Sequence, residues 1–215
     1  MARPGLNRRR LTKRRLLGID RSGPPPDATL SGHGLNPWTL PNAIGFARLA
    51  AIPAFLIVAL SARHGQDALA VALFAAIGWA DYLDGFVARL TGQYSRLGAL
   101  LDPIVDRLLV IAGMAVAWRF TLLPRWAIAV VIARELFMLI LSRYALRRGV
   151  ELKINWPGRL GVAPTMGAPF FAMAGVHWLG VAMLYVGMAL ALLATVLYVR
   201  TGLDDLRARQ RPSRP

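Results

Sequence analysis

Four aspartates lie inside two apolar stretches of this sequence, at Asp81, Asp84, Asp102 and Asp106. An ionised aspartate near the centre of a membrane helix costs about 2.5–3.5 kcal/mol on insertion scales. Four uncompensated carboxylates would therefore cost on the order of 10 kcal/mol, which is comparable to the stability of a whole domain. A bound cation or a water-filled cavity is the usual compensation. These residues are therefore the first candidates for chemistry.

The spacing of the four aspartates allows their side chains to meet. Asp81 and Asp84 are three positions apart and Asp102 and Asp106 are four, so each pair lies on one face of a helix. If the two helices are antiparallel neighbours, the pairs can converge into a four-carboxylate cluster. An oxygen-only cluster suits hard divalent cations such as Mg²⁺ or Mn²⁺. Four negative charges would neutralise two such ions, which is the arrangement used for displacement at phosphorus.

Small residues and one arginine share the carboxylate faces: Gly85, Ala88, Gly98 and Arg89. The small residues leave room for a bulky ligand to approach the backbone, and the arginine can pair with a phosphate. The alternative to a metal site is a set of buried ion pairs, for which Arg96 and Arg107 are near enough in sequence. We favour the metal site because all these residues lie on matched faces.

The elements that must position these residues are predicted membrane helices. A membrane helix needs about 20 predominantly apolar residues, and the apolar residues, 56% of the chain, run in blocks. Six blocks qualify as spans: 41–61, 68–89, 99–118, 124–146, 158–176 and 178–200. The sequence therefore predicts an all-α integral membrane protein with six transmembrane helices.

The basic residues are divided unequally between the two sides of this topology. Twenty of the 26 Lys and Arg residues lie in the two tails and in the loops after the second and fourth spans, and three lie on the other side. Because basic loops stay in the cytoplasm, both termini are predicted to be cytoplasmic. We expect a cytoplasmic-membrane protein whose active site faces the cytoplasm. The net charge of +15 is then explained by basic residues that orient the chain in the membrane and contact anionic lipids. No nucleic acid partner is predicted.

The composition divides the chain into three parts and excludes several classes of functional site. Residues 1–36 read as a basic, flexible cytoplasmic tail, 37–201 as the membrane domain, and 202–215 as a second basic cytoplasmic tail. The chain has no cysteine, which excludes disulfides, thiolate metal sites and cysteine nucleophiles. His33, His64 and His177 are far apart in the sequence, which argues against a histidine metal site.

The aspartate segment resembles the signature of the CDP-alcohol phosphotransferases. That pattern fixes eight positions over 26 residues, and all match here: Asp81, Asp84, Gly85, Ala88, Arg89, Gly98, Asp102 and Asp106. The resemblance extends over about residues 36–175. It implies a six-helix membrane enzyme, generally a homodimer, that uses Mg²⁺ or Mn²⁺. Such enzymes transfer a phosphatidyl group from CDP-diacylglycerol to an alcohol and release CMP.

The resemblance also implies roles for individual residues. Asp81, Asp84 and Asp102 would be metal ligands. Asp106 would bind the second metal and act as the base that deprotonates the acceptor hydroxyl. The CDP-diacylglycerol would be bound by residues of the motif and of the first span: Pro41, Asn42, Ala43, Ile44, Gly85, Ala88, Arg89, Ser95 and Gly98.

Within the family, Pro41-Asn42, Arg48 and Pro53 of the first span and Arg134-Glu135 of the fourth resemble most the phosphatidylglycerophosphate synthase branch. This resemblance implies glycerol-3-phosphate as the acceptor. The segment 96–108 also resembles cardiolipin synthases of the same fold, whose acceptor is phosphatidylglycerol, and the stretch 157–161 lacks a lysine common in the first branch. Inositol phosphate is a third possible acceptor. A phosphorylated acceptor needs a cationic pocket, and the candidates are Arg134, Arg143, Lys153 and Arg159. Arg134 and Glu135 lie mid-span, so they are predicted to pair with each other or to face a pocket.

Other classes of protein also place aspartates in membrane helices. An ion or solute transporter would line its pathway with them, but it would usually show inverted repeats, which this sequence lacks. A membrane prenyltransferase uses aspartate-rich helices and Mg²⁺, but it would usually be longer and have more spans. A third alternative is an anchoring protein that has lost its activity.

Overall fold

The computed structural model describes residues 36–147 and 156–210, and their regular structure is entirely helical. The helices are α1 (Leu40–Ser61), α2 (Ala68–Thr91), α3 (Arg96–Arg119), α4 (Arg125–Arg147), α5 (Trp156–Met173) and α6 (His177–Gln210). Their ends agree with the predicted spans to within three residues, except that α6 continues beyond Arg200 to Gln210. The all-α prediction is confirmed for the described residues.

Among the described residues, three helical segments are long and apolar enough to cross a membrane: Leu40–Ser61, Ala68–Thr91 and His177–Gly202. Large apolar side chains on several helices are exposed, among them Ile57 at 68% and Ile140 at 70%. Helices that are apolar on their outer faces as well as their inner ones are typical of membrane proteins. The helices α3 and α4 carry charged residues within their length. The number of spans therefore stays a prediction.

Short polar side chains set the starts of α1 and α3. The hydroxyl of Thr39 accepts a hydrogen bond from the Asn42 backbone N–H at 3.3 Å, and the hydroxyl of Ser95 accepts one from the Gly98 N–H at 2.9 Å. Both are N-caps, which satisfy backbone donors that the first helical turn leaves unpaired. Gly92, with φ of +66°, directly follows α2 and adopts a backbone conformation that other residues rarely take. The short connection from α2 to α3 therefore has a definite geometry.

The chain forms two compact units. Of the described residues, the first unit combines those up to Ala54 with Ala75–Leu109, and the second combines Phe55–Phe74 with those from Val110 onwards. The buried polar residues of the described chain all belong to the first unit: Asn42, Arg48, Asp84 and Ser95. Burial of polar groups is tolerated only where each is hydrogen-bonded. The first unit is therefore where a site is to be sought.

The second unit is held by close packing between α5 and α6. A Cβ on Gly180 would lie 3.0 Å from the carbonyl oxygen of Ala168, and one on Gly187 would lie 2.9 Å from the backbone nitrogen of Thr165. Such contact between backbones requires glycine and is common where membrane helices associate. An edge-on pair of Phe55 and Phe74, with ring centroids 5.4 Å apart, adds to this core.

Candidate functional site

The guanidinium of Arg48, from α1, lies at the centre of the candidate site in the first unit. Its Nη1 donates hydrogen bonds to Oδ1 of Asp81 at 2.9 Å and to Oδ2 of Asp84 at 3.0 Å. Its Nη2 donates to Oδ1 of Asp106 at 2.6 Å, and its Nε donates to the Ile77 carbonyl oxygen at 3.1 Å. One buried side chain thus binds three of the four carboxylates and ties α1 to α2 and α3.

Sequence reasoning did not assign Arg48 to the site. It considered Arg96 and Arg107 as ion-pair partners because they are close to the aspartates in sequence. In the described part of the chain the partner is instead Arg48, which is 33 to 58 positions away from the carboxylates it binds. The sequence did indicate that Arg48 has a partner on another helix, because α1 contains no acidic residue with which it could pair. An arginine in an apolar helix without a local partner must find its counter-charge on another helix.

The carboxylates differ in how far they are accessible. The side chain of Asp84 is 6% exposed, whereas those of Asp81 and Asp106 are 42% and 34% exposed. Asp102 lines the same pocket as Asp84, and its charge interacts with those of the other three aspartates. The structure therefore brings the two predicted pairs, one from α2 and one from α3, into a single polar region.

The donor set fits a hard divalent cation by its chemistry. Three of the four carboxylates bind the Arg48 guanidinium, and the fourth, Asp102, lines the pocket with Asp84 and Arg89, so carboxylates outnumber guanidinium groups in this region. As placed in the described chain, no three acidic or histidine side chains could hold an ion together. Three of the carboxylates direct one oxygen at Arg48 instead. A cation bound here would have to share or take over these carboxylates together with Asp102, so the ligand roles stay a prediction.

A pocket with a volume of about 170 Å³ opens in the first unit. Most of the residues predicted to bind the nucleotide line it, together with two of the aspartates: Pro41, Asn42, Asp84, Gly85, Ala88, Arg89, Ser95, Gly98 and Asp102. Ala43 and Ile44 are not among its described lining residues, so their predicted contact with the nucleotide stays a prediction. On α1 the Ala43 side chain is exposed, so only the first turn at Pro41 and Asn42 reaches the pocket.

Two further residues of the pocket wall were not singled out by sequence reasoning. Gln93 and Tyr94 lie in the connection between α2 and α3 and line the pocket. The Gln93 Oε1 accepts a hydrogen bond from the Leu40 backbone N–H at 3.0 Å, which links this connection to the start of α1. Connections between helices give no periodic signal, so these residues could be found only from the fold.

Arg89 lies against Gly85 on the pocket wall. A Cβ on Gly85 would lie 3.3 Å from the Arg89 Nη1. The glycine therefore makes space for the guanidinium of the same helix face, in addition to any space for a ligand. This arrangement places a guanidinium and the Asp84 and Asp102 carboxylates around one pocket.

Asn42, Ser95 and Gly98 form a hydrogen-bonded clasp in the pocket wall. The Ser95 hydroxyl donates to Oδ1 of Asn42 at 2.7 Å, and the Asn42 Nδ2 donates to the carbonyl oxygens of Asn36 and Pro37. A Cβ on Gly98 would lie 2.7 Å from that same Oδ1. These polar groups are therefore occupied in holding α1 to α3. Their predicted role as nucleotide contacts stays a prediction.

Three of the four predicted acceptor residues lie outside the side chains that the structure describes. Lys153 falls outside the described residues, and Arg143 and Arg159 belong to helices whose description does not extend to these two side chains. Arg134 forms an ion pair with Glu135, and its Nε donates to the Thr195 hydroxyl at 3.0 Å. The predicted pairing of Arg134 with Glu135 is thus present within α4, and the hydrogen bond from Arg134 to Thr195 links α4 to α6. A role in acceptor binding stays a prediction.

Comparison with known proteins identifies relatives over most of the helical region. The family model described as CDP-alcohol phosphatidyltransferase matches residues 38–197. A Streptomyces coelicolor protein named cardiolipin synthase (CMP-forming) is 35% identical over 167 residues, covering 74% of this chain and 77% of the relative.

Two other relatives bear a different name, CDP-diacylglycerol–glycerol-3-phosphate 3-phosphatidyltransferase. The Bacillus subtilis protein is 36% identical over 110 residues, which is 46% of this chain and 57% of the relative. The Cereibacter sphaeroides protein is 31% identical over 122 residues, which is 55% of each chain. These two alignments span little more than half of the relatives' length.

Proposed function

This chain belongs to the CDP-alcohol phosphatidyltransferase family, and from that membership we propose which substrates it joins. Members of this family are phosphatidyltransferases of phospholipid biosynthesis, so the chain is an enzyme rather than a transporter or a prenyltransferase. The donor we propose is CDP-diacylglycerol, which is part of the name of the Bacillus and Cereibacter relatives. The leaving group is CMP.

One observation carries this proposal. Asp84 and Asp102, from two different helices, line one pocket together with Arg89. A diphosphate needs positive charge around its oxygens, which the guanidinium supplies directly and the carboxylates supply through bound divalent cations. The pocket, at about 170 Å³, is smaller than a typical ligand site of roughly 300–1,000 Å³. It therefore suits part of the nucleotide, with the acyl chains lying in the bilayer.

The reaction we propose is a single displacement at phosphorus. The acceptor hydroxyl oxygen forms a bond to the phosphorus that carries diacylglycerol, and the bond from that phosphorus to the oxygen of CMP breaks. The hydroxyl proton passes to Oδ2 of Asp106, whose side chain is 34% exposed and whose Oδ1 is held by Arg48. Arg89 orients the diphosphate through its planar guanidinium.

Divalent cations belong to this proposal as well. Mg²⁺ or Mn²⁺ would be held by Asp81, Asp84, Asp102 and Asp106, whose all-oxygen donor set suits such ions. When bound, the cations would neutralise charge on the diphosphate and on the departing CMP. The chain's own contribution is to fix four carboxylates on two helices and to keep one of them reachable by the acceptor.

The acceptor we propose is a glycerol unit that bears a phosphate and a free primary hydroxyl. Glycerol-3-phosphate is our first candidate, because the first and fourth spans resemble the branch that uses it and two relatives are named for it. Phosphatidylglycerol is the second candidate, because the Streptomyces relative, which aligns over 77% of its length, is named cardiolipin synthase. Both molecules present the same attacking group. Arg143, Lys153 and Arg159 are the proposed phosphate contacts, with Arg134 held in its ion pair.

The proposed setting is a cytoplasmic membrane crossed by six helices, with both termini and the active site on the cytoplasmic side. The unequal distribution of basic residues supports this orientation. In it, the pocket residues Gln93, Tyr94 and Ser95 belong to a connection on the cytoplasmic side, where soluble CMP would be released. We also propose a homodimer, which size-exclusion chromatography with light scattering would test.

One assay decides among the acceptors. The purified full chain in detergent receives CDP-diacylglycerol and Mg²⁺ with glycerol-3-phosphate, phosphatidylglycerol or inositol phosphate in parallel, and the lipid product is identified by mass spectrometry. We expect phosphatidylglycerophosphate in the first arm. Cardiolipin in the second arm alone would establish the second candidate, and absence of CMP release in every arm would contradict the proposed reaction.

A further inference from the structure

Arg48 occupies the point at which the catalytic carboxylates would otherwise gather around cations. Its side chain is 1% exposed, and both N–H groups of Nη1 are directed at carboxylates, one at Asp81 and one at Asp84. The shortest of its bonds, at 2.6 Å, joins Nη2 to Asp106. The guanidinium therefore sits in a position that a cation would be expected to take.

A guanidinium in this position offsets part of the repulsion among the carboxylates. Several ionised aspartates in an apolar interior are unstable without positive charge nearby. Arg48 supplies that charge from within the chain, and its planar fork can bond to several oxygens at once. Its Nε bond to the Ile77 carbonyl oxygen, at 3.1 Å, fixes the fork relative to α2. Three of the four carboxylates are thus held in place by a side chain of the same chain.

The arrangement held by Arg48 differs from one that a cation requires. Asp81, Asp84 and Asp106 each place one carboxylate oxygen 2.6–3.0 Å from a nitrogen of the Arg48 guanidinium. A cation must therefore draw some of these carboxylate oxygens away from the guanidinium. Positive charges of the cation and of Arg48 also repel each other at close range. Both effects make the cation and the guanidinium competitors for the same ligands.

We propose that Arg48 is an internal counter-ion, a positioning residue that holds Asp81, Asp84 and Asp106 in the metal-free enzyme and yields part of these bonds when a divalent cation binds. This inference rests on the proposed function, since it assumes that the carboxylates bind cations. It assigns to Arg48 a role that differs from that of a purely structural arginine. If the cation and Arg48 compete, removal of the guanidinium should lower the stability of the protein without bound metal. It should at the same time increase the affinity for the cation.

The test measures Mn²⁺ binding and metal-free stability, without any substrate. The full chain in detergent is titrated with Mn²⁺ while free Mn²⁺ is followed by electron paramagnetic resonance, and thermal unfolding is followed by tryptophan fluorescence in EDTA. For Arg48→Gln we expect a dissociation constant for Mn²⁺ about tenfold lower than that of the wild type, within the roughly 5–150-fold range usual for coupled sites. Its unfolding temperature in EDTA should fall.

Two further variants complete the test. Arg48→Lys keeps the charge but loses the fork, so we expect values between those of the wild type and Arg48→Gln in both measurements. Arg107→Gln makes the same change of charge one position from Asp106, at an arginine for which the described chain gives no hydrogen bond to the four carboxylates. It should change the Mn²⁺ dissociation constant by less than about twofold, because this half-buried arginine has no hydrogen bond to the carboxylates in the described chain and does not compete for their oxygens.

Each outcome decides a separate point. Mn²⁺ binding that is unchanged or weaker in Arg48→Gln would overturn the role of Arg48 while leaving the metal site intact. If Arg48→Gln does not fold, weaker binding by Arg48→Lys than by the wild type would overturn the role equally. Absence of Mn²⁺ binding by the wild type would contradict the metal site itself, and with it the proposed function.

Discussion

Ser95 donates a hydrogen bond of 2.7 Å from its hydroxyl to Oδ1 of Asn42, joining the start of α3 to the first turn of α1. Both side chains are buried, and both line the pocket. The same hydroxyl caps α3 by accepting from the Gly98 N–H. The wall of the pocket is thus set by one short polar contact between two helix starts, in addition to the aspartates.

Replacement of Ser95 by alanine should destabilise the protein. It removes the N-cap of α3 and leaves Oδ1 of Asn42 buried without its donor, which together cost about 1–3 kcal/mol. Thermal unfolding in detergent measures the effect. The matched control is Ser61→Ala, since the Ser61 hydroxyl donates to the Ile57 carbonyl oxygen at the exposed end of α1. Equal unfolding temperatures for the two variants would refute the importance of the clasp.

Replacement of Gly98 by alanine tests how tightly the clasp is packed. The new Cβ would lie 2.7 Å from Oδ1 of Asn42 and 3.2 Å from the Ser95 hydroxyl oxygen, and Asn42 is held by three hydrogen bonds. Overpacking of this kind costs about 1–3 kcal/mol. Gly45→Ala in α1 is the control, because nothing lies within 4 Å of its added Cβ. That variant should be as stable as the wild type or more stable, by up to about 1 kcal/mol.

The helices could be predicted well because apolar length is a strong signal. Each of the six predicted blocks corresponds to one helix, even α5, which contains Pro164 and Pro169. The end of α6 could not be predicted in this way. The chain becomes charged after Arg200, so the apolar block ends there, but the helix continues to Gln210. Hydropathy locates a span, whereas helix propensity and caps locate its ends.

The site could be predicted only in part from the sequence. The period of a helix places Asp84 beside Gly85 and Arg89, and that local arrangement lines one pocket in the structure. Contacts between helices have no such local signal. Arg48 reaches Asp106 across 58 positions, and Ser95 reaches Asn42 across 53. Helical periodicity predicts which face of its helix a residue occupies. It does not predict which other helix packs against that face.

Replacement of Arg89 by lysine should weaken the use of the donor substrate. Lysine keeps the charge but loses the planar fork that we propose pairs with the diphosphate. We expect kcat/KM for CDP-diacylglycerol to fall by about tenfold or more, equivalent to at least about 1.4 kcal/mol of transition-state stabilisation. Arg63→Lys, at an exposed position in the second unit, should leave kcat/KM unchanged. An unaltered kcat/KM in Arg89→Lys would remove that residue from the mechanism.

The central claim is that Asp106 accepts the proton of the acceptor hydroxyl. The most direct test is the rate at which the Asp106→Asn variant releases CMP from CDP-diacylglycerol in the presence of Mg²⁺. An asparagine oxygen can still accept the hydrogen bond from Arg48, so the variant should fold, but it cannot take the acceptor proton. We expect the rate with glycerol-3-phosphate or phosphatidylglycerol to fall by about 10²–10⁴-fold. The control is Asp67→Asn, whose side chain caps α2 and can be replaced by asparagine without loss of the cap. Release of CMP by Asp106→Asn at the wild-type rate would contradict the proposed chemistry.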